Sequence, residues 1–267
     1  MKWNLYTEGN LLNYIGIDIG STAAKTLVFD GEKIVHYFDL PTGWSSKESA
    51  LRVKQKLSSL GIDVHSESTK IVATGYGRIS VDYADKVITE ITCHGKGAYY
   101  LFSEDSVVID VGGQDTKIIT IEKGAVSHFL MNDKCSAGTG KFLEVMANRL
   151  NVDIDYLFSL AAKGDPIPIS SMCTVFAESE VISYIGAGRP KEDLAAGIIQ
   201  SVVSRVVMLA NQHDINGICI LTGGLSHIPY FADQLSKKLG HKIYTHTLGK
   251  YAGALGAALI SAEKFTK

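Results

Sequence analysis

Cysteine is sparse, with four in 267 residues. That is too few for a disulfide framework. Proline is scarce beside glycine, five against 26, which argues against proline-rich linkers and favours many tight strand-to-helix turns. Neither sign of charge dominates: 26 Lys and Arg face 28 Asp and Glu, a net charge of −2, so nothing in the balance calls for nucleic acid. No apolar run reaches the roughly 18 residues that a membrane span needs. The opening MKWNLYTEGN lacks the apolar core of a signal peptide, and residues 1–12 carry no pattern. The eight histidines show neither HxxxH nor HExxH spacing, which leaves a zinc site unsupported. The expectation is a cytoplasmic protein with neither membrane nor nucleic acid as partner. What is present is 46% hydrophobic and 20% charged residues, enough for one large core or two smaller lobes.

The segment YIGIDIGSTAAKTLVFDGEKIVHY predicts strands over Tyr14–Ile19, Lys25–Phe29 and Lys33–Phe38. Asp18 closes the first strand, and Gly20, Ser21 and Thr22 form the first hairpin. Exposed N–H groups in such a turn are able to cradle phosphate oxygens. Further along, VVIDVGGQDTKIITIEKGAVSH repeats the pattern at one constant offset of 92 residues. Asp18 matches Asp110, Gly20 matches Gly112, Lys25 matches Lys117 and His36 matches His128. An internal repeat decides the fold class. The chain is expected to be α/β, built as two similar lobes that each open on a β-meander carrying Asp-x-Gly. A pseudo-twofold arrangement would face Asp18 and Asp110 across a cleft, as carboxylates that hold Mg²⁺.

Between and beyond these meanders, Ser46–Leu60 reads as a helix, Lys70–Thr74 as a strand and 94–102 as a helix after Val87–Cys93. Residues 151–172 read as irregular, 193–213 as a long helix and Ile243–His246 as a short strand. The segment GICILTGGLSHIP predicts a buried strand ending at Gly223 and Gly224, a turn that lets backbone approach a ligand closely. AGALGAALISAEKF reads as a closely packed C-terminal helix.

Two cysteines stand apart. Cys135 precedes the small turn Ser136–Gly140 and an amphipathic run through Phe142, Leu143, Val145, Met146 and Leu150. Cys173 follows the polar Ser170–Ser171 and precedes TVFAESEVISYI. Cys135 is expected at or just before a helix N-terminus and Cys173 at one, where a thiolate or bound anion is favoured, although buried structural thiols are the commoner reading of a free cysteine. Cys219 lies inside an apolar strand and Cys93 beside a helix, and both read as structural.

These motifs together resemble the phosphate hairpins and adenosine motif of the actin, sugar-kinase and heat-shock-chaperone ATPase superfamily. Within it, IGIDIGSTAAK at 15–25, ATGYGR at 73–78, IDVGGQDTK at 109–117, MNDKCSAGTGKFLEVMA at 131–147 and ISSMCTVFAESEVIS at 169–183 resemble the activator ATPases of 2-hydroxyacyl-CoA dehydratases. They equally resemble the ATPase subunits of benzoyl-CoA reductases and the reductases of double-cubane cluster proteins. One departure is LSHIPY after Gly224, where relatives often carry an Asn. The resemblance implies ATP and Mg²⁺ as ligands, Asp18 and Asp110 orienting the metal, and Gln114 placing the attacking water. It implies phosphate contacts from Gly20, Ser21, Thr22, Lys25, Gly112 and Gly113, and nucleoside contacts from Gly223 and Gly224. It further implies a homodimer with one bridging [4Fe–4S] cluster held by Cys135 and Cys173 of each chain, ferredoxin or flavodoxin as electron donor, and an iron–sulfur dehydratase or reductase as partner. The expected lobes are 1–94 with 252–267, and 95–251. Two other functions fit the same fold: a small-metabolite kinase, for which Asp115 is the one candidate base, and a nucleotide-binding regulator without a cluster.

Overall fold

The computed structural model describes residues 12–170 and 173–266. Residues 1–11 lie outside the described part, as does Ser171, on which half of the expected polar turn before Cys173 falls. The chain divides into two compact units, residues 1–97 with 253–267, and residues 98–252.

In the first unit, β1 (Asn13–Ile19), β2 (Ala23–Phe29) and β3 (Ile34–Pro41) form an antiparallel meander. α1 (Ser46–Ser59) follows. Its N-cap Ser45 accepts the Glu48 N–H, and its buried Ser49, Ala50, Val53 and Leu57 follow the helical repeat. β4 (Thr69–Thr74) and β5 (Lys86–Val87) then add in parallel to β1, giving the order β3-β2-β1-β4-β5. α2 (Glu90–Phe102) starts four residues before the expected helix, so Cys93 sits inside it rather than ahead of it, buried beside the equally buried His94.

The second unit repeats this plan. β6 (Ser106–Val111), β7 (Thr116–Glu122) and β8 (Ala125–Asn132) form the meander. α3 (Gly140–Arg149), α4 (Ile154–Ala161), α5 (Thr174–Gly186) and α6 (Lys191–Ala210) precede β9 (Ile218–Gly223), α7 (Pro229–Leu239) and β10 (Ile243–Tyr244). The sheet order β10-β9-β6-β7-β8 matches that of the first unit strand for strand. Even the irregularity repeats: the outer pair shifts register between Val28 and Phe29 in one unit and between Thr120 and Ile121 in the other, again 92 residues apart.

α4 falls where the sequence predicts irregular chain. Asp153 caps it by accepting the Tyr156 N–H at 2.7 Å, and Leu157, Phe158, Leu160 and Ala161 bury into the core. Two turns are too short to show a helical period. α6 is, by length and composition, apolar enough to cross a membrane, contrary to the expectation that no run reaches that length. Eleven of its residues, including Leu194, Ile198, Val202 and Val206, are buried in the core of the second unit, which marks it as a core helix.

The C-terminal helix α8 (Ala252–Phe265) packs against the first unit at backbone distance. A Cβ on Gly16 would lie 1.8 Å from the Ala254 carbonyl oxygen, and one on Gly256 would lie 1.7 Å from that of Cys93. Only glycine permits these approaches.

Candidate functional site

The two meanders place chemistry at corresponding points. In each, the last-but-one residue of the first strand is a buried Asp paired across the ladder with a Lys: Asp18 with Lys25 and Asp110 with Lys117. The β1–β2 turn closes through Gly20 N–H donating to Ala23 C=O at 3.1 Å, and the β6–β7 turn through Gly112 N–H donating to Asp115 C=O at 2.9 Å. Inside each turn two amides remain, Ser21 and Thr22 in one, Gly113 and Gln114 in the other. None of the four has a hydrogen-bond partner among the described residues. The carbonyls, by contrast, are engaged. Thr42 takes those of Gly20 and Thr22, while the amides of Gly140 and Lys141 take those of Gly112 and Gly113. A turn with its carbonyls tied back and its amides open is an anion-binding concavity. Thr22 and Gln114 occupy equivalent positions of their turns, and Gln114 is exposed.

The neighbouring strands extend the repeat in a way sequence spacing hides. Thr74 is the register partner of Asp18, and Thr222 that of Asp110. Each is followed by a glycine at positive φ, Gly75 at 85° and Gly223 at 82°. A Cβ on Gly75 would stand 2.3 Å from Asp18 Oδ1, and one on Gly223 would stand 2.7 Å from Asp110 Oδ1. Thr222 Oγ1 donates to Asp110 Oδ1 at 3.2 Å. In each unit, then, the Asp, the open turn and a Thr-Gly pair meet at the carboxyl ends of the parallel strands, where α/β sheets present ligand sites. Gly224 is exposed, with open space where a side chain would be.

The charges differ between the units. Lys25 Nζ lies 3.7 Å from Asp18 Oδ2 and remains partly exposed. Lys117 is fully buried, with Nζ 3.5 Å from Asp110 and 2.8 Å from Asp115. Asp115, the one candidate base for a metabolite kinase, is thus held as an ion-pair partner rather than presented to a substrate.

The cysteines separate into two classes. Cys93 and Cys219 are buried. Desolvation pushes the Cys93 thiol up to about 12 and also raises that of Cys219. Cys135 and Cys173 are exposed and line one cavity of about 570 Å³ in the second unit, with Thr116, Asn132, Gly138 and Arg205. Cys173 is the N-cap of α5, as expected. Cys135 lies just before a helix: α3 begins five residues later, at Gly140. A compact loop holds the cysteine. Asn132 accepts the Cys135 N–H at 3.3 Å and donates to the Cys135 and Ala137 carbonyls, and Thr139 Oγ1 donates to the Ser136 carbonyl at 2.6 Å. Ser136 and Thr174, each next to a cysteine, join through their hydroxyls at 2.9 Å. Thr116 Oγ1 donates to the Gly138 carbonyl at 2.8 Å. Sequence spacing does not single out Thr116, Thr74 or Gly75; the repeated Thr-Gly dipeptide is the available signal for the last two.

Known proteins share both the fold and the sequence. The (R)-2-hydroxyglutaryl-CoA dehydratase activating ATPase of Acidaminococcus fermentans is 43% identical over 256 residues, covering 95% of this chain and 98% of that protein. The crystal structure of component A of that dehydratase superimposes with a TM-score of 0.89 at 43% identity, over 96% of this chain and 100% of the other. The activator of the 2-hydroxyisocaproyl-CoA dehydratase from Clostridium difficile, solved with bound ADPNP, does so with a TM-score of 0.87 at 37% identity, over 95% of each. A benzoyl-CoA reductase component of Thauera aromatica is 30% identical over 275 residues, 94% of each chain. Sugar kinases share the fold alone. The two matched sheets are thus those of the actin and sugar-kinase ATPases. Residues 15–261, which span both open turns and both exposed cysteines, match the family model BcrAD_BadFG; the chain belongs to the BadF/BadG/BcrA/BcrD ATPase family.

Proposed function

We propose that this protein is an ATP-dependent electron-transfer activator. It couples hydrolysis of ATP to ADP and phosphate to delivery of one electron to a partner iron–sulfur enzyme, a 2-hydroxyacyl-CoA dehydratase or a benzoyl-CoA-type reductase. The observation that carries this reading is the one cavity lined by both exposed cysteines, in the same unit as an open phosphate turn. The amides of Ser21, Thr22, Gly113 and Gln114 bind phosphate oxygens. Asp18 and Asp110 orient Mg²⁺, usually through its waters. The Gln114 side chain, exposed on its turn, orients the attacking water, a role an amide fills without ionising. Gly223 and Gly224 let the backbone approach the nucleoside.

The residues present fit a [4Fe–4S] cluster. Cys135 and Cys173 supply two accessible thiols at one cavity, half of a four-thiolate set, while Cys93 and Cys219 are buried and do not line it. A second copy of the chain completes the set about a twofold axis. When bound, the cluster supplies a low-potential one-electron carrier, refilled by ferredoxin or flavodoxin in the cytoplasm. The hydroxyl pair of Ser136 and Thr174 fixes the two thiol-bearing segments against each other, and exposure leaves them open to a partner and to oxygen.

Iron analysis after anaerobic purification tests the proposal. The expected result is brown protein with about four irons per two chains, as a cubane shared by a dimer requires, and colourless iron-free protein for Cys135→Ser or Cys173→Ser. Four irons per monomer, or iron retained by the Cys135 variant, refutes the bridging arrangement.

A further inference from the structure

The β6–β7 turn and the Cys135 loop are joined by three hydrogen bonds. Gly140 N–H donates to Gly112 C=O at 2.9 Å, Lys141 N–H donates to Gly113 C=O at 2.8 Å, and buried Thr116 Oγ1 donates to Gly138 C=O at 2.8 Å. The first two bonds are the cap of α3. Thr139, its N-cap residue, makes no side-chain cap bond, so the turn satisfies two amides that a helix start otherwise leaves open. The fit is close, since a Cβ on Gly140 would stand 3.2 Å from the Gly112 oxygen and 3.4 Å from Gly113 Cα.

The same peptide units face two ways. In a trans peptide the C=O and the following N–H point in opposite directions. The carbonyls of Gly112 and Gly113 hold α3, so the N–H groups of Gly113 and Gln114 point away from it, and these are the amides that the turn leaves open. An anion drawn onto them pulls on the planes whose other ends hold the helix start. The first unit lacks this device. Its Gly20 and Thr22 carbonyls bond to Thr42, not to a helix, and the residue 92 positions before Thr116 is Ala24, which has no hydroxyl. The repeat therefore breaks where the second turn meets the cysteine loop.

We propose that Thr116 is a positioning residue. It carries the phosphate state of the β6–β7 turn to the Cys135 loop, three residues along the chain from the carbonyl it holds, so that nucleotide sets the exposure of the Cys135 thiol within one unit. This rests on the reading that the turn binds ATP phosphates. Thr116→Val keeps the side chain's shape and removes the hydroxyl; Thr116→Ser keeps the hydroxyl.

The test uses full-length iron-free protein. Alkylation of Cys135 by a maleimide is followed by peptide mass spectrometry without nucleotide, with Mg²⁺ and ADP, and with Mg²⁺ and a non-hydrolysable ATP analogue. Nucleotide binding is measured alongside by calorimetry. In the unaltered protein the alkylation rate is expected to differ between ADP and the analogue by about fivefold or more, the low end of coupling between linked sites. Thr116→Val should bind both nucleotides and lose most of that difference, and Thr116→Ser should keep it. If Thr116→Val does not fold, Gly140→Ala, whose methyl pushes the helix start off the turn, should lose the difference in its place. Binding without any change in Cys135 alkylation, or a full difference in Thr116→Val, overturns the coupling and leaves the ATPase reading standing. Failure of the unaltered protein to bind nucleotide overturns both.

Discussion

Lys117 is fully buried between two carboxylates, and its removal makes a quantitative test of what holds the β6–β7 turn. At 2.8 Å from Asp115 and 3.5 Å from Asp110, and with an effective dielectric near 20, the attractions are about 6 and about 5 kcal/mol. The desolvation of the ammonium offsets most of this, and water reaching Asp115, 28% exposed, screens its share. What remains on deleting the cation alone is the cost of stripping buried Asp110 and Asp115 of the lysine they share, about 3–5 kcal/mol. Lys117→Met keeps the length and apolar stem of the side chain and removes the charge. Urea unfolding followed by far-UV circular dichroism should show a loss of that size in the transition of the second unit. Adding Asp110→Asn to the same chain should restore part of it, because the buried carboxylate that lost its lysine is then gone. A loss below about 1 kcal/mol, the range of an exposed pair, refutes the view that this buried triad holds the turn together. So does a double variant that is no more stable than Lys117→Met.

Asp18→Ala or Asp110→Ala should abolish Mg²⁺-dependent ATP hydrolysis while iron content stays unchanged, and Gln114→Ala should lower kcat more than it weakens ATP binding, since water placement acts in the transition state; wild-type hydrolysis in both Asp variants would contradict the assignment. Gly223→Ala forces a methyl to 2.4 Å from the Val111 carbonyl at a φ of 82°, so calorimetry should show weaker nucleotide binding together with a lowered melting temperature; unchanged values for both would refute the close-approach argument. For Cys93, the folded thiol is raised to about 12 from an ordinary value of 9.0, so the folded state keeps a proton that the unfolded chain releases. Stability is therefore fully present below pH 9 and falls between pH 9 and 12, by on the order of 4 kcal/mol at the upper end. Cys93→Ala should flatten that part of the stability–pH curve, and an unchanged slope would count against the burial argument.

The repeat was legible in the sequence because the residues that shape each turn, Asp-x-Gly and the paired Lys, are local and keep one spacing. The Thr-Gly pairs were not, although they touch the same carboxylates. Between the meander and the next strand lies α1 alone in one unit and four helices, α3 to α6, in the other, so the offset of 92 is lost before β9. The anchoring of the Cys135 loop to α3 was hidden for a different reason. A helix start is read from a local side-chain cap, but α3 is capped by the carbonyls of a turn nearly thirty residues upstream. That bond pattern exists only once the chain has folded. The exposed and buried pairs of cysteines, by contrast, were separable by their flanks: Cys219 in an apolar strand, Cys135 and Cys173 among small polar residues.

The packing of α8 sets an order of events during synthesis. The first unit is discontinuous, and its β1 has a glycine at residue 16 whose empty side is filled by the backbone of α8. On the ribosome, that helix emerges only after the whole of the second unit has been made. The second unit is one continuous stretch and is free to fold while still attached. The first unit, with Asp18 and its turn, must wait with an uncovered sheet face until α8 arrives. Any lesion that stops translation after residue 252 would therefore yield chains with a formed cysteine cavity and an unfinished first turn, a species prone to capture by chaperones.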